Sequence, residues 1–312
     1  MAYRKEIKCE YYRVNFRKRN WSESTRDGLF DLRKWIAKAN KKLKNSFKKV
    51  KRNHYDEFVR IDKIDLLNNI SEGIDKKIYV LNFVKMREKN LPSKVKEEEI
   101  AQPLVLEKDE SIGEHVTALY DPEYNILMVQ RNAHSLTPTG ISNYLNELWG
   151  KKDKETIHLT PIFYKEIFEK IKKAQTYRSL TLRLTDFSNT EYQNGNNILG
   201  KMVKNFGGFE AVNVEINLTM GHNFKRGLNK NHIHNTLAVA EANEDVVKKT
   251  VVGMKESEDT NVEHLDLFEE KIHDIIPMKL ERKESIDFKE LSVFMYNKYE
   301  NRVDEILENM QR

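Results

Sequence analysis

The chain is poor in the residues that usually announce a mechanism. One cysteine, Cys9, stands in 312 residues, which excludes an internal disulfide and a cysteine-rich zinc site. No apolar run approaches eighteen residues, so no membrane-spanning helix is expected. The N-terminal MAYRKEIKCEYYRV lacks an apolar core of signal-peptide length, and the chain reads as cytoplasmic. No repeat of useful period is present. One further absence is local: between Arg33 and Arg52 there is no aspartate or glutamate at all.

What the chain does have is core-forming material and charge. Hydrophobic residues make up 39% and aromatics 10%, enough to bury a sizeable core. Its length suits two compact units or one large one. Charged residues reach 33%, above the usual quarter, and richness in Lys, Asn and Ile fits a low-GC bacterial or phage gene. The net charge of +5 is unevenly spread. Residues 1–60 hold 19 Lys and Arg against 7 Asp and Glu, leaving the remainder at −7. Such a split points to nucleic acid, a membrane surface or an acidic protein patch as partner.

Hydropathy patterning predicts an α+β fold, with mixed or antiparallel sheets and helices packed on one side. Alternation marks strands at 7–16, 76–86, 155–159, 178–186 and 210–220. GEHVTALYDPEYNILMVQRN at 113–132 reads as a β-hairpin turning through Asp121-Pro122-Glu123-Tyr124-Asn125. Trp21-Ser22-Glu23-Ser24 offers caps for a long basic amphipathic helix over about 24–52, with Leu29, Leu32, Ile36, Ala39, Leu43, Phe47 and Val50 as its apolar stripe. KEEEIAQP at 96–103 reads as a loop. Thr160 and Pro161 read as a helix start, NNILGKMVKNF as a helix closed by Gly207-Gly208, and roughly 227–242 as another helix. TVVGMKESEDTNVEHLDLFEEKI looks like a hairpin, and a C-terminal amphipathic helix opens with an Asp287/Glu290 capping box. The pattern break near WGKKDKET divides the chain into 1–150 and 151–312.

Each candidate for chemistry has a plainer reading beside it. GNNILGK at 195–201 fits a phosphate-binding loop, but Met202 stands where that loop needs Ser or Thr for magnesium. Its apolar positions also make a helix face, and a phosphate cradle cannot be wound into a packed helix. Three His-x-Thr triplets begin at His115, His158 and His234. Two of them facing one cleft would supply base and acid for a phosphodiester; the plainer reading is chance together with capping. His232 and His234 could supply metal ligands on a strand, yet no carboxylate or cysteine stands at a persuasive spacing. No metal and no cofactor are expected. Glu-x-Lys pairs such as Glu6/Lys8 and Glu281/Lys283 are common in so charged a chain and lack a companion Asp.

RKWIAKANKKLKNSFKKVKR remains. Arg33, Lys34, Lys38, Lys41, Lys42, Lys44, Lys48, Lys49, Lys51 and Arg52 are ten cations in twenty residues. Ordinary solvated helix faces mix signs to gain i,i+4 pairs, whereas like charges here stand at 34/38, 38/42, 44/48 and 48/52, each costing a few tenths of a kcal/mol. Phosphates or acidic side chains from a partner would offset that cost. Arg13, Arg17, Lys18, Arg19 and Arg60 extend the positive field, and Trp35 and Phe47 fall within it. Counterion release from six to ten phosphate contacts is enough for sequence-tolerant binding to DNA or RNA. A membrane is disfavoured because the apolar stripe is committed to a core. Docking on an acidic protein surface, or self-association into a homo-oligomer, is the competing reading. A histidine-dependent phosphodiesterase or nuclease is a third.

The hairpin HVTALYDPEYNILMVQRN and the later VVKKTVVGMKESEDTNVEHLDLFEEKI together resemble uncharacterised bacterial proteins carried on phages and mobile elements. The layout is more distantly similar to the B subunit of the Kiwa phage-defence system. That resemblance spans about residues 110–300 and is one of pattern. It implies a defence or counter-defence factor that senses or binds nucleic acid or a phage protein, and it assigns no functional residue.

Overall fold

A computed structural model describes residues 2–18, 28–150, 155–185, 198–206, 209, 211, 213–221, 226–242, 246–257, 260–269 and 271–311. The proposed caps at Ser22 and Ser24, the glycines Gly195, Gly207 and Gly208, and Arg19 lie outside these residues. Contacts divide the chain into two compact units: residues 1–159 with 273–304, and residues 160–272 with 305–312. This differs from a single cut at 150, because the segment from His273 pairs with the N-terminal strand.

The first unit is built on a nine-stranded sheet. Its strands are β1 (Tyr3–Lys18), β2 (Gly28–Leu29), β3 (Arg52–His54), β4 (Glu57–Leu66), β5 (Tyr79–Arg87), β8 (Ile112–Asp121), β9 (Ile126–Gln130), β10 (Glu155–Pro161) and β15 (His273–Leu280). The order along the sheet is β10-β1-β9-β8-β5-β4-β3, with β15 and β2 also on β1. The intervening β6 (Ser93–Lys94) and β7 (Gln102–Pro103) form a separate, exposed two-residue ladder where the sequence suggested a loop. β8 and β9 make the expected hairpin, with Ala118 opposite Val129 and Asp121 opposite Ile126. Asn125 takes the left-handed conformation the turn requires, at φ 58°. The return of β15 sets Tyr3 against Leu280 and Glu10 against His273.

Alternation along these strands gives the sheet two buried faces. One carries Tyr12, Val14, Ile61, Leu81, Phe83, Val116, Ala118, Tyr120, Leu127 and Val129. It is covered by α1 (Leu32–Leu43) and α2 (Pro138–Trp149), whose Trp35, Ile36, Ile141, Tyr144 and Leu145 join the same core. The other face carries Tyr11, Leu119 and Met128 and meets α6 (Phe288–Glu300). There Tyr299 donates to Asp121 at 2.6 Å. Helices therefore cover both faces of this sheet. Asp287 caps α6 by accepting from the Glu290 N–H at 2.8 Å. The C-terminal helix of the sequence reading is interrupted after Glu300: Asn301 and Arg302 form a turn before α7 (Val303–Met310), and Arg302 is held by Asp274 at 3.1 Å.

The second unit is a four-stranded antiparallel sheet, β12-β11-β13-β14, made of β11 (Thr176–Thr185), β12 (Asn213–Thr219), β13 (Val247–Lys255) and β14 (Glu263–Asp266). α3 (Lys165–Lys173), α4 (Ile198–Phe206) and α5 (Lys230–Ala242) contribute Ile171, Met202, Ile233 and Leu237 to one core on one face of it. Thr160 and Pro161 do not start a helix. They end strand β10, and α3 begins four residues after Pro161 with Tyr164 as a cap that makes no side-chain bond. Among the described residues no helix is long and apolar enough to cross a membrane.

Candidate nucleic-acid interface

The basic stretch is three short elements rather than one long helix. Asp31 opens α1 as N-cap, its carboxylate accepting from the Arg33 N–H at 3.0 Å. Twelve residues later the helix stops. Ser46 is fully extended, at φ −176°, and its hydroxyl accepts from the Lys48 N–H, starting a fresh 3-10 turn over Phe47–Lys49. Three residues beyond Lys49, β3 begins. The like charges at 44, 48 and 49 are thereby splayed around a turn instead of stacked along one helix, which relieves the i,i+4 repulsion that the sequence implies.

Helical geometry sorts the cations of α1. At roughly 100° per residue, Leu32, Trp35, Ile36 and Ala39 share the inward face, all at or below 5% exposure. Lys34 and Lys41 fall opposite and are exposed, while Lys38 and Lys42 flank the apolar face and are half-buried. Trp35 is not a surface aromatic: it is fully buried and its indole donates to the Leu145 carbonyl at 3.0 Å. Phe47 is exposed at 47%.

A buried tyrosine anchors the turn that follows. In the β3–β4 ladder Arg52 opposes Val59 and Asn53 opposes Phe58, so Val50 would oppose Ile61 if β3 continued. The Tyr144 hydroxyl occupies that place instead. It accepts from the Ile61 N–H at 2.7 Å and donates to the Val50 carbonyl at 2.8 Å. One phenol from α2 thus completes the ladder and fixes the base of the Phe47–Val50 turn. Burial drives its own ionisation upward, so it stays a neutral donor and acceptor.

The ten cations divide into committed and available groups. Arg33 grips Asp31 through two hydrogen bonds of 2.8 and 2.9 Å and holds that carboxyl below its usual range. Lys38 donates to the Trp149 carbonyl and lies 5.3 Å from the Trp149 ring. It thereby neutralises the C-terminal end of α2, where Gly150 closes the helix in the left-handed conformation. Lys51 sits 3.6 Å over the Phe58 ring, and Arg52 donates to the carbonyls of Lys49 and Lys51. Lys42 has its ammonium lowered, first by burial and then by Arg52 and Lys38. Lys34, Lys41, Lys44, Lys48 and Lys49 are exposed, and among the described residues none of the five forms an ion pair or side-chain hydrogen bond. Of the flanking cations, Arg60 pairs with Asp62 at 2.8 Å and lies 4.5 Å over the Phe47 ring. Phe47 is therefore already stacked on one side. No local signal in the sequence separates Lys38 from Lys41 or reveals Tyr144 as the anchor, since each depends on a partner about 100 residues away.

His115 and His158 do not assemble into a catalytic pair. His115 on β8 and His158 on β10 are three strand steps apart in the first unit, about 14 Å at the usual strand spacing. His115 contacts the Asn82 side-chain amide at 3.2 Å, and His158 the Thr156 hydroxyl at 2.8 Å. His232 and His234 lie on helix α5 of the second unit, not on a strand. His232 is exposed, while His234 contacts the Tyr177 hydroxyl at 2.8 Å and has its pKa lowered, chiefly by burial. Lys201 of the phosphate-loop candidate sits on α4. Among the described residues no cluster of three His, Cys, Asp or Glu is placed to hold a metal ion.

Over residues 2–309 the sequence matches a family of unknown function, DUF6731. No curated protein matches it significantly.

Proposed function

The chain belongs to the DUF6731 family, a membership that brings no activity with it, and from its surface chemistry we propose that it binds nucleic acid without sequence preference through the basic surface of α1 and the following turn. The observation that carries the reading is the group of five exposed lysines, Lys34, Lys41, Lys44, Lys48 and Lys49, unpaired among the described residues. Point charges on flexible stems suit phosphates spaced along a strand. Lys42 and Lys38 behind them strengthen the field. The exposed Asn45 amide on this surface is engaged by the Lys41 carbonyl at 2.6 Å, and the lysines meet phosphates as point charges, so binding tolerates sequence. The setting proposed is cytoplasmic phage–host conflict, which rests on the resemblance alone.

Fluorescence anisotropy with labelled duplex and single-stranded oligonucleotides tests the reading across a salt series. Five phosphate contacts give a slope of log affinity on log salt of about −4.5, or on the order of a 500-fold loss between 50 and 200 mM salt. Replacing the five lysines by alanine removes binding, whereas Lys38→Met leaves the slope nearly unchanged. Absence of binding by the unaltered chain at 50 mM salt removes nucleic acid from the reading. The same surface then serves the second one, docking on an acidic protein surface or on another copy of the chain, for which the charge complementarity is equally suitable.

A further inference from the structure

A polar cleft lies on the sheet face opposite α1, within the first unit. Its floor is a row of side chains on adjacent strands: Asn82 on β5, Thr117 on β8 and Gln130 on β9. Asn82 and Thr117 are register partners, and Gln130 accepts from the Thr117 N–H at 2.9 Å. All three are at or below 5% exposure, on a face that also carries the apolar Leu119 and Met128. Burying two primary amides and a hydroxyl beside an apolar core costs stability unless their hydrogen-bonding capacity is used. The protein uses part of it. Gln130 Oε1 takes the Thr117 N–H, and the Asn82 amide meets His115 Nδ1. A primary amide offers two donors and two acceptor sites, so the row retains capacity toward the cleft.

The walls differ in character. Leu280, Ile286 and Phe288 supply apolar surface, the last two from the segment leading into α6. Lys5 and Lys63 stand at the rim, both exposed and neither in an ion pair among the described residues; the Lys63 ammonium lies 5.5 Å from the centre of the Phe288 ring. Of the acidic rim residues, Glu114 pairs with Arg87 at 3.5 Å and Asp287 caps α6; Glu284 is exposed. The cleft volume is about 400 Å3, in the range of small-molecule sites.

We infer that this cleft binds a nucleoside monophosphate. The floor amides, Thr117 and His115 meet the mixed donors and acceptors of a base edge, Ile286 covers a ring face, and Lys5 and Lys63 receive the phosphate. Strand spacing of about 4.8 Å places Asn82 and Gln130, two strands apart, at the scale of a heterocycle with its substituents. The site is independent of the lysines of α1 and its turn, which lie across the sheet.

Isothermal titration of the full chain tests it with AMP, GMP, CMP and UMP, the four parent nucleosides, and inorganic phosphate. The expected result is saturable 1:1 binding of at least one monophosphate at about 1 mM or tighter, with inorganic phosphate at least tenfold weaker. Lys5→Ala with Lys63→Ala, both at exposed positions, weakens the monophosphate about tenfold and leaves its nucleoside unchanged. Gln130→Met lowers affinity for nucleoside and monophosphate alike, read beside its unfolding curve. The five-lysine alanine variant binds as the unaltered chain does. No saturation by any monophosphate overturns the inference. So does phosphate binding as tight as nucleotide binding, indifference to the Lys5/Lys63 pair, or loss of binding in the five-lysine variant.

Discussion

Removing one oxygen atom, by Tyr144→Phe, isolates the anchor of the basic turn. The ring contacts survive the change: Tyr144 meets Trp35 edge-on at 6.1 Å and Phe83 at 5.8 Å, and a phenylalanine keeps both. What goes is the hydroxyl joining the Ile61 N–H to the Val50 carbonyl. Val50 and Ile61 are fully buried, so water does not easily replace it. Each orphaned buried backbone group costs about 1–3 kcal/mol, and partial relaxation puts the pair at about 2–4 kcal/mol. Trp35 and Trp149 are buried in the first unit and the second contains no tryptophan, so tryptophan fluorescence in urea follows the first unit. With a denaturant slope of about 2 kcal/mol per molar, the midpoint drops by about 1–2 M. A loss below about 0.5 kcal/mol would refute the reasoning. It would mean that Val50 and Ile61 close up directly once the oxygen is gone, so that β3 lengthens and the phenol bridges nothing the backbone cannot supply for itself.

Two further substitutions separate structural from available charge. Lys38→Met removes a charged hydrogen bond to the Trp149 carbonyl, a ring contact and a favourable charge at the end of α2; these overlap, and the loss in the same urea assay is about 1–2 kcal/mol. Lys41→Met, equally a lost cation, stays within about 0.5 kcal/mol. Asp31→Ala removes the α1 cap and costs about 1 kcal/mol at pH 7. Because Arg33 holds the Asp31 carboxyl below its ordinary value, the contribution is fully present above about pH 4 and is lost as pH falls through the lowered folded-state pKa. The unaltered and substituted chains should therefore converge in stability only in acid; convergence at pH 6 would contradict the assignment.

Much of the local structure was legible without coordinates. Strict alternation in RSLTLRLT and in the two halves of the 113–132 hairpin locates β11, β8 and β9, since a side-chain period of two leaves only one way to bury one face. The spacing of Leu32, Ile36 and Ala39 gives the inward face of α1. Asp287 with Glu290 marks the start of α6 through a bond only three residues long. The shortage of acid between Arg33 and Arg52 also marks the candidate surface, because charge that finds no local partner must be solvated or bound elsewhere.

Other features escaped because their causes are distant in sequence. Helix α1 ends at Leu43 although cations and apolar spacing both run on; Ser46 and the Tyr144 splice capture the chain into a turn instead. Lys38 and Lys41 look alike in sequence, yet one seals the end of a helix about 110 residues away and the other faces solvent. Trp35 reads as a surface aromatic until Leu145 is placed beside it. Asn82, Thr117 and Gln130 are ordinary polar residues on three separate strands, and only strand order and register bring them into one row. The sequence by itself determined which faces are apolar, where most strands and several caps fall, and where positive charge is concentrated, because periodicity and capping act within a few residues. Tertiary structure decided which lysines are free, what anchors the basic turn and which polar side chains share a cleft, because each of those depends on partners about 15 to 110 residues apart.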